Sequence, residues 1–195
     1  MNNELIIKAE KYCKELLNNG RCNLLQFHNY CHTAEVAHNA NLIAQKSNLT
    51  DAEREMVVIS AYFHDVGNIE TASGHEKLSC TIAREFLQKQ NFPEEKISIV
   101  EHTILSTEMG REPTNLLEEI LNDADFSHLG MTTFTERNRL LREEWETFLD
   151  MTFTDKEWIT LNIKFLEQHH FYTEVAQKIF GKQKSANLIK FKQAI

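Results

Sequence analysis

Apolar residues recur at intervals of three and four along most of this chain, and few residues interrupt the pattern. A period near 3.6 is typical of helices packed on one face, whereas strands alternate with a period of two. Only six Gly and two Pro are present to break such segments. We therefore expect an all-α fold, with 1–195 forming a single compact helical domain. The clearest stripe comprises Val36, Ala37, Ala40, Ile43 and Ala44.

Capping signals and breakers set the expected helix boundaries. We place helices near 3–19, 24–47, 51–65, 74–90, 93–105, 113–129, 133–149, 155–168 and 171–193, the last broken near Gly181. Four pairs have capping-box spacing: Thr50 with Glu53, Ser73 with Glu76, Thr133 with Glu136, and Thr154 with Glu157. Pro93 and Pro113 fit first helical positions. The charged segment 137–146 is interpreted as a solvated helix face.

Charge and hydropathy exclude several classes of protein. The net charge of −8 opposes binding of long nucleic acids. The longest apolar stretch, 56–63, is far too short to span a membrane, and the first residues lack a basic and then apolar signal segment. Four cysteines without a Cys-x-x-Cys pair suggest neither a zinc knuckle nor a redox motif. We expect a soluble cytoplasmic protein.

His64 and Asp65 directly follow an apolar run, 57–63, so a hydrophobic helix carries an imidazole and a carboxylate at its C-terminal end. A carboxylate there opposes the helix dipole and, if buried, needs hydrogen bonds or a cation. Imidazole with carboxylate suits manganese, iron or zinc. The alternative is an ordinary helix end followed by a turn at Gly67.

Two further segments add potential ligands. His28 and His32 are one helical turn apart, although that spacing alone has little weight. Asp123 and Asp125 lie within another apolar stripe, so at least one of them must face the core side and needs a partner there. That stripe comprises Leu116, Leu117, Ile120, Leu121 and Ala124.

These motifs resemble those of the HD-domain metal-dependent phosphohydrolases, a family named for an adjacent His-Asp pair. The matching segments are His28-Asn29-x-x-His32-Thr33, Phe63-His64-Asp65-Val66-Gly67 and Ala124-Asp125. The resemblance covers roughly 20–130 and implies an HD-domain core there, with 131–195 as a helical extension. It also implies that His32, His64, Asp65 and Asp125 bind a divalent cation, with Asp65 as the catalytic residue.

Two histidines between the signature pair and the last aspartate resemble the ligands of the dinuclear subgroup. In that subgroup they hold a second ion and the signature aspartate bridges both. The resemblance implies that His75 and His102 are ligands, and that the cofactor is one or two ions of manganese, iron, magnesium or zinc. Their alternative role is that of helix-end histidines satisfied by neighbouring groups.

Other side chains near the motifs are candidates for supporting roles. Lys77, with Asn68 and Arg84, is a candidate for binding phosphate oxygens, although each also fits an ordinary solvated position. Acceptors for the second ring nitrogen of a ligand histidine are expected among Asp123, Glu76 and Glu101. Aromatic residues able to stack on a base, or simply to fill the core, are Phe27, Tyr30, Tyr62 and Phe126.

The chain departs from one subgroup of the family. Cyclic-dinucleotide phosphodiesterases usually show a lysine shortly after His-Asp-x-Gly and a later Gly-Tyr-Pro, whereas here Asn68 follows Gly67 and Gly-Tyr-Pro does not occur. That subgroup is disfavoured. The residues after 130 are expected to form a lid, a wall of the cleft or a dimer surface.

The function expected from these residues is hydrolysis of a small phosphate ester, with a nucleotide or dinucleotide as substrate. We expect a small-molecule partner, no long nucleic acid and no membrane, and leave homo-oligomerisation open. One alternative is a catalytically silent module that binds a nucleotide or protein through the same cleft. Another is a purely structural bundle whose histidines are satisfied internally.

Overall fold

Helices account for the regular structure of the part of the chain that the computed structural model describes, residues 3–194. The α-helices are α1 (Asn3–Asn19), α2 (Tyr30–Lys46), α3 (Asp51–Phe63), α4 (His75–Lys89), α5 (Glu94–Leu105), α6 (Leu116–Asp125), α7 (Phe134–Phe148), α8 (Asp155–Gln168) and α9 (Glu174–Lys192). Three short 3₁₀ helices cover Arg21–Asn23, Val66–Ile69 and Phe126–Gly130. The expectation of an all-α fold is confirmed.

Two of the four expected capping boxes are present. Thr50 and Thr154 accept a hydrogen bond from the backbone N–H of Glu53 and Glu157, respectively. The carboxylates of these two glutamates accept in turn from the backbone N–H of the capping threonine. Each box satisfies two backbone donors that the helix itself leaves free. The starts of α3 and α8 are therefore set by local sequence.

The other two boxes were wrong. α4 is capped by Gly74 in a left-handed conformation with φ 68°, one residue past Ser73, and Glu76 is buried instead of reaching back. Thr133 caps α7 without a side-chain hydrogen bond, so it forms no box with Glu136. The spacing was correct, but the backbone at both sites does not adopt the extended conformation that a side-chain cap needs.

Two helices begin later than the sequence suggested, because an asparagine caps each one. Asn29 accepts from the backbone of its own first turn, so α2 starts at Tyr30 and not near residue 24. Asn115 does the same for α6. Pro113 therefore lies outside α6, and Pro93 is the N-cap of α5, not its first residue.

The last helix is continuous, which corrects the expected break at Gly181. α9 packs closely on the 3₁₀ helix Phe126–Gly130. A Cβ at Gly130 would lie 2.5 Å from the Cβ and carbonyl oxygen of Phe180. The glycine permits this close approach of the two backbones.

α3 lies at the centre of the bundle, against α1, α2, α5 and α6, and is buried on two faces. One face joins an apolar cluster with α1, α4 and α5, and the other joins a cluster built on the α2 stripe, α6 and α9. Phe63, the last residue of α3, is fully buried. The two residues that follow α3 therefore emerge in the interior of the protein.

The C-terminal helices pack onto the rest of the chain. Phe171, Ala176 and Phe180 share the apolar cluster of α2 and α6. A smaller cluster of Leu129, Phe134, Leu166 and Phe191 joins α7, α8 and α9. Within residues 3–194, no helix is both long and apolar enough to cross a bilayer.

Candidate metal centre

Four side chains from three helices meet at one buried point. His32 lies in the first turn of α2, His64 and Asp65 directly follow α3, and Asp125 ends α6. The first three are at most 4% exposed. The structure therefore brings together the four residues of the expected first cation site.

The distances within this group are those of atoms that face a common centre. His32 Nε2 lies 3.1 Å from Asp125 Oδ1 and 3.4 Å from Asp65 Oδ2. His64 Nε2 lies 3.3 Å from Asp65 Oδ2 and 3.7 Å from Asp125 Oδ1. Ligand atoms of His32, His64 and Asp125 all lie within 4.8 Å of one another.

Three of these atoms lack a hydrogen-bond partner among the residues described: His32 Nε2, His64 Nε2 and Asp65 Oδ2. They are close together, but their directions do not suit hydrogen bonds between them. Buried polar atoms without partners are costly and rare. A divalent cation satisfies all three at once, and two imidazoles with two carboxylates are a suitable donor set for manganese, iron or zinc. The residues present thus fit a metal ion.

Backbone carbonyls set the tautomers of the histidines. The Nδ1–H of His64 donates to the carbonyl of Ala61 at 2.8 Å, and that of His75 donates to Ala72 at 3.0 Å. A carbonyl oxygen can only accept, so Nδ1 of each ring carries a proton. This leaves Nε2 of His64 available to an ion, whereas Nε2 of His75 carries a proton as well when it donates to Asp65 Oδ1 at 3.1 Å. Backbone carbonyls thus accept from the second ring nitrogen, the role that was expected of carboxylates. They can do so because each ring folds back onto the preceding turn of the chain.

The carboxylates expected in that role lie elsewhere. Asp123 accepts from the backbone N–H groups of Tyr172 and Thr173 at 2.7 and 2.8 Å, and so holds the start of α9. Glu101 pairs with Arg84. Glu76 Oε1 lies 3.8 Å from His75 Nδ1, beyond hydrogen-bonding distance.

Asp65 is held from both sides. Its Oδ2 faces the two imidazoles, while Oδ1 lies 3.1 Å from His75 Nε2 and 3.4 Å from the amide nitrogen of Asn68. Asn68 is buried and lines the cavity described below, unlike the solvated side chain that was the simpler expectation. These contacts fix the orientation of the carboxylate.

His102 is not brought into this group. It is exposed on α5, and its Nδ1 bonds to the carbonyl of Ser98 at 2.7 Å. In the described part of the chain it lies neither in the ligand cluster nor in the wall of the adjoining cavity. Of the two histidines expected to hold a second ion, only His75 is adjacent to the first site.

The two expected phosphate-binding cations also lie away from the site. Lys77 is exposed on α4 and is not part of the cavity wall. Arg84 forms ion pairs with Glu94 and Glu101. The helical periodicity of α4 turns both side chains away from His75, which occupies its first position.

The charges in the group are mutually dependent. Burial opposes protonation of His64, but the carboxylates of Asp65 and Asp125 outweigh it and hold its pKa well above its usual value. Burial would raise the pKa of Asp65, yet His64 and His75 hold it well below its usual value. For His75, burial is outweighed by the hydrogen bond to Asp65, and its pKa is about 9. In the absence of a cation, protons on the histidines thus supply the positive charge that balances the carboxylates.

Gly67 allows α4 to approach the site. A Cβ at this position would lie 2.0 Å from the carbonyl oxygen of His75 and 3.0 Å from the backbone nitrogen of Ser79. Ser79 completes the junction, since its hydroxyl accepts from Gly67 N–H at 2.8 Å and donates to the His64 carbonyl at 2.7 Å. The glycine after the His-Asp pair therefore places His75 beside Asp65.

A cavity of about 610 Å³ opens onto the site and is bordered there by Asp65, His75 and Asp125. Most of its wall is apolar or aromatic: Leu25, Phe27, Phe126, Leu129, Leu141, Trp145, Phe148, Leu149, Met151, Trp158, Leu161 and Phe165. Of the three roles expected for residues after 130, this lining gives α7 and α8 that of a cleft wall. Arg21 and Lys164 add positive charge to the same wall.

One face of α7 corrects the interpretation of 137–146 as solvated. Glu144 is buried, and its carboxylate accepts from the backbone N–H groups of Phe27 and His28 at 2.7 and 3.0 Å and contacts the His28 ring. Arg137 Nη2 lies 3.4 Å from His32 Nδ1. Residues 137 and 144 are two helical turns apart and thus share the inward face, which the surrounding charges obscure in the sequence.

The pair of His28 and Glu144 carries charge. Burial would lower the pKa of His28, but its bond to Glu144 outweighs burial and raises it. The pKa of Glu144 is lowered, because His28 and the two backbone N–H groups outweigh its burial. His128, which also lines the cavity, is different, since burial lowers its pKa to about 4.

A bundle of helices that gathers two histidines and two aspartates at one buried point has the donor set of a helical metal-binding domain. The family model described as HD domain matches residues 29–129, more than half of the chain and close to the 20–130 expected from the motifs. The chain belongs to the HD domain family.

No curated protein matches this sequence. Among solved structures, the fold is similar to a crystal structure described as that of a predicted HD superfamily hydrolase from an uncultured Thermotogales bacterium. The two share 20% sequence identity with a TM-score of 0.65, over 96% of this chain and 88% of that one. The similarity extends past the HD core into the C-terminal helices.

Proposed function

We propose that this protein is a metal-dependent phosphohydrolase acting on a small phosphate ester, and that its substrate is a nucleotide or dinucleotide. The observation that carries the proposal is the convergence of unpartnered His32 Nε2, His64 Nε2 and Asp65 Oδ2 beside a cavity. The description of the similar crystal structure as that of a predicted hydrolase also supports a hydrolytic activity.

His32, His64, Asp65 and Asp125 would hold the cation, which we propose to be manganese, iron, magnesium or zinc. When bound, such an ion supplies Lewis acidity, which makes water a better nucleophile and neutralises charge on phosphoryl oxygens. Because only His75 of the two further histidines lies near Asp65, we propose one tightly held ion.

The protein's own groups would orient the reacting parts. Asp65 is locked by His75 and Asn68, so its Oδ2 keeps its direction toward the two imidazoles. Arg21, whose guanidinium donates to the Asn68 carbonyl at 3.1 Å, lines the cavity next to this group and would attract phosphate oxygens. The apolar wall would exclude water from the rest of the substrate.

Size and charge favour a small substrate. A volume of about 610 Å³ lies within the range of small-molecule sites. The net charge of −8 makes the approach of a long polyanion unfavourable. We therefore propose a small-molecule partner in the cytoplasm and no long nucleic acid.

The test combines metal analysis with turnover. The purified protein is stripped with a chelator, reloaded with each of the four ions, and assayed on nucleoside mono-, di- and triphosphates, dinucleoside polyphosphates and cyclic nucleotides. We expect turnover only with a divalent ion. Turnover that persists in excess chelator would contradict the proposal, and bound metal without turnover of any phosphate ester would instead support a silent binding module.

A further inference from the structure

Three residues in the cavity wall form a closed hydrogen-bond relay that the proposed chemistry does not use. The indole Nε1–H of Trp158 donates to the side-chain oxygen of Asn138 at 2.7 Å. The amide of Asn138 donates to the side-chain oxygen of Asn162 at 2.5 Å, and the amide of Asn162 donates to the carbonyl of Trp158 at 2.8 Å. All three line the cavity and are at most 6% exposed.

The direction of this relay is fixed by chemistry. An indole N–H can only donate and a carbonyl can only accept, so both amides must point their oxygens toward Trp158 Nε1 and Asn138, respectively. Each amide nitrogen carries a second hydrogen, and no contact within residues 3–194 uses either one. The wall therefore offers two buried N–H donors, and each amide oxygen, which accepts one hydrogen bond here, keeps a second lone pair.

Aromatic rings line the same cavity as these donors. The rings of Trp145 and Trp158 lie 5.6 Å apart, edge to face, on one part of the wall. Phe126 and Phe165, with ring centroids also 5.6 Å apart, form another part of the wall. Flat faces and edge donors together suit a flat ring that has acceptor atoms on its edge.

The same cavity joins this aromatic wall to the metal centre, since Asp65 and Asp125 border it. A phosphate held at the metal centre would thus leave its organic group within the space beside α7 and α8. This placement of the organic group rests on the proposed function.

We propose that the α7–α8 wall is a nucleobase site. The base lies among the aromatic side chains, and its ring nitrogens or carbonyl oxygens accept from the spare N–H groups of Asn138 and Asn162. An alkyl chain would fit the apolar surface but would leave both donors buried and unpaired. A folded protein would not enter a cavity of about 610 Å³.

Tryptophan fluorescence tests this directly. Trp145 and Trp158 are the two tryptophans of the chain, and both line the cavity. We expect adenosine, guanosine, cytidine or uridine, none of which carries phosphate, to quench the emission saturably in metal-free protein. Absence of quenching by all four nucleosides would overturn the proposal, as would tighter binding of octyl phosphate than of every nucleotide tested.

A surface variant keeps the test independent of folding. Leu161 lines the cavity and is 42% exposed, so Leu161→Glu places a charge in the space without disturbing the core. We expect it to weaken nucleoside binding at least about tenfold. The matched control is Ile189→Glu, because Ile189 is 58% exposed on α9 and lies outside the cavity wall. This variant should bind nucleosides as tightly as the wild type does. Equal binding by both variants would overturn the assignment of the wall.

The donors are tested by Asn162→Asp, which keeps an oxygen for Asn138 but removes the N–H donors. We expect about tenfold weaker nucleoside binding and an undiminished response to naphthol, a ring without ring nitrogens or carbonyl groups. An equal loss of binding for nucleosides and for naphthol would mean that the Asn162 amide forms no hydrogen bond with the base.

The outcomes separate this site from the proposed function. Metal-dependent turnover of a simple phosphomonoester without nucleoside quenching would remove the nucleobase site and leave the hydrolase. Nucleoside quenching without turnover of any phosphate ester would do the reverse.

Discussion

Glu144 accepts the backbone N–H of His28 at 3.0 Å and also contacts its ring, although the two residues are 116 positions apart. The contact joins α7 to the segment that leads into His32, the first of the candidate metal ligands. The C-terminal helices thus take part in holding the candidate site in place.

The first prediction concerns this tie. Glu144→Ala leaves the N–H groups of Phe27 and His28 without their acceptor, and we expect the free energy of unfolding to fall by about 3 kcal/mol. Denaturant unfolding measures the loss. The neighbouring Glu143 forms only an exposed ion pair with Arg139, so Glu143→Ala should cost less than about 1 kcal/mol. Similar losses for both variants would show that the tie contributes nothing specific.

The second prediction concerns metal content. His64→Ala removes an unpartnered Nε2 from the centre of the cluster, and we expect affinity for zinc or manganese to drop more than about 100-fold. His102→Ala is the control, because that exposed side chain lies outside the cluster, and its metal stoichiometry should match the wild type. Elemental analysis after dialysis measures both. Loss of one equivalent in His102→Ala would restore a two-ion site.

The third prediction concerns the close approach at Gly67. In Gly67→Ala the added Cβ meets the His75 carbonyl, so α4 must move away from Asp65. We expect a loss of about 3 kcal/mol in unfolding free energy and, by NMR titration, a His75 pKa that falls from about 9 toward its ordinary value.

Gly20→Ala provides the control for that variant, because its Cβ would lie 3.3 Å from the Ile69 side chain, a contact that a small shift relieves. It should cost no more than about 1 kcal/mol. A His75 pKa unchanged in Gly67→Ala would contradict the role given to the glycine.

The fourth prediction concerns pH. His169 packs against the rings of Phe126 and Phe171, and burial, with the nearby charge of Lys184, lowers its pKa to about 3. Between pH 6.5 and about 3, His169 therefore binds a proton in the unfolded chain but not in the native state. The free energy of unfolding consequently falls as the pH drops through 6.5.

His169→Phe removes that proton uptake. Between pH 7.5 and 5, the variant should lose about 2 kcal/mol less unfolding free energy than the wild type. His38→Phe replaces an exposed histidine of α2 and should follow the wild type. Parallel pH curves for wild type and His169→Phe would show that His169 does not contribute to acid sensitivity.

Local features of the sequence were sufficient to predict most of the helices, and the resemblance of its motifs to the HD family implied the four residues that the structure brings together. The apolar period predicted an all-α fold, because burial of one helix face needs only side chains three and four residues apart. The run 57–63 predicted that His64 and Asp65 follow a hydrophobic helix, and the structure buries both side chains. Capping boxes at Thr50 and Thr154 were correct for the same reason, since all their atoms lie within one turn.

Tertiary packing decided which polar side chains face the site. Lys77 was the leading phosphate-binding candidate in sequence, with Asn68 beside it. Packing of α4 on the 3₁₀ helix Val66–Ile69 instead exposes the lysine and buries the asparagine against Asp65. The helices packed against α7 decide which of its faces turns inward. The contacts of Glu144 and the relay through Asn138 therefore cannot be predicted from the neighbouring residues in the sequence. The sequence by itself thus determined the helices and the metal-binding motif, because these depend on neighbours within a turn or two. The cavity wall and its donors depend on contacts between distant segments, and only the tertiary structure decided them.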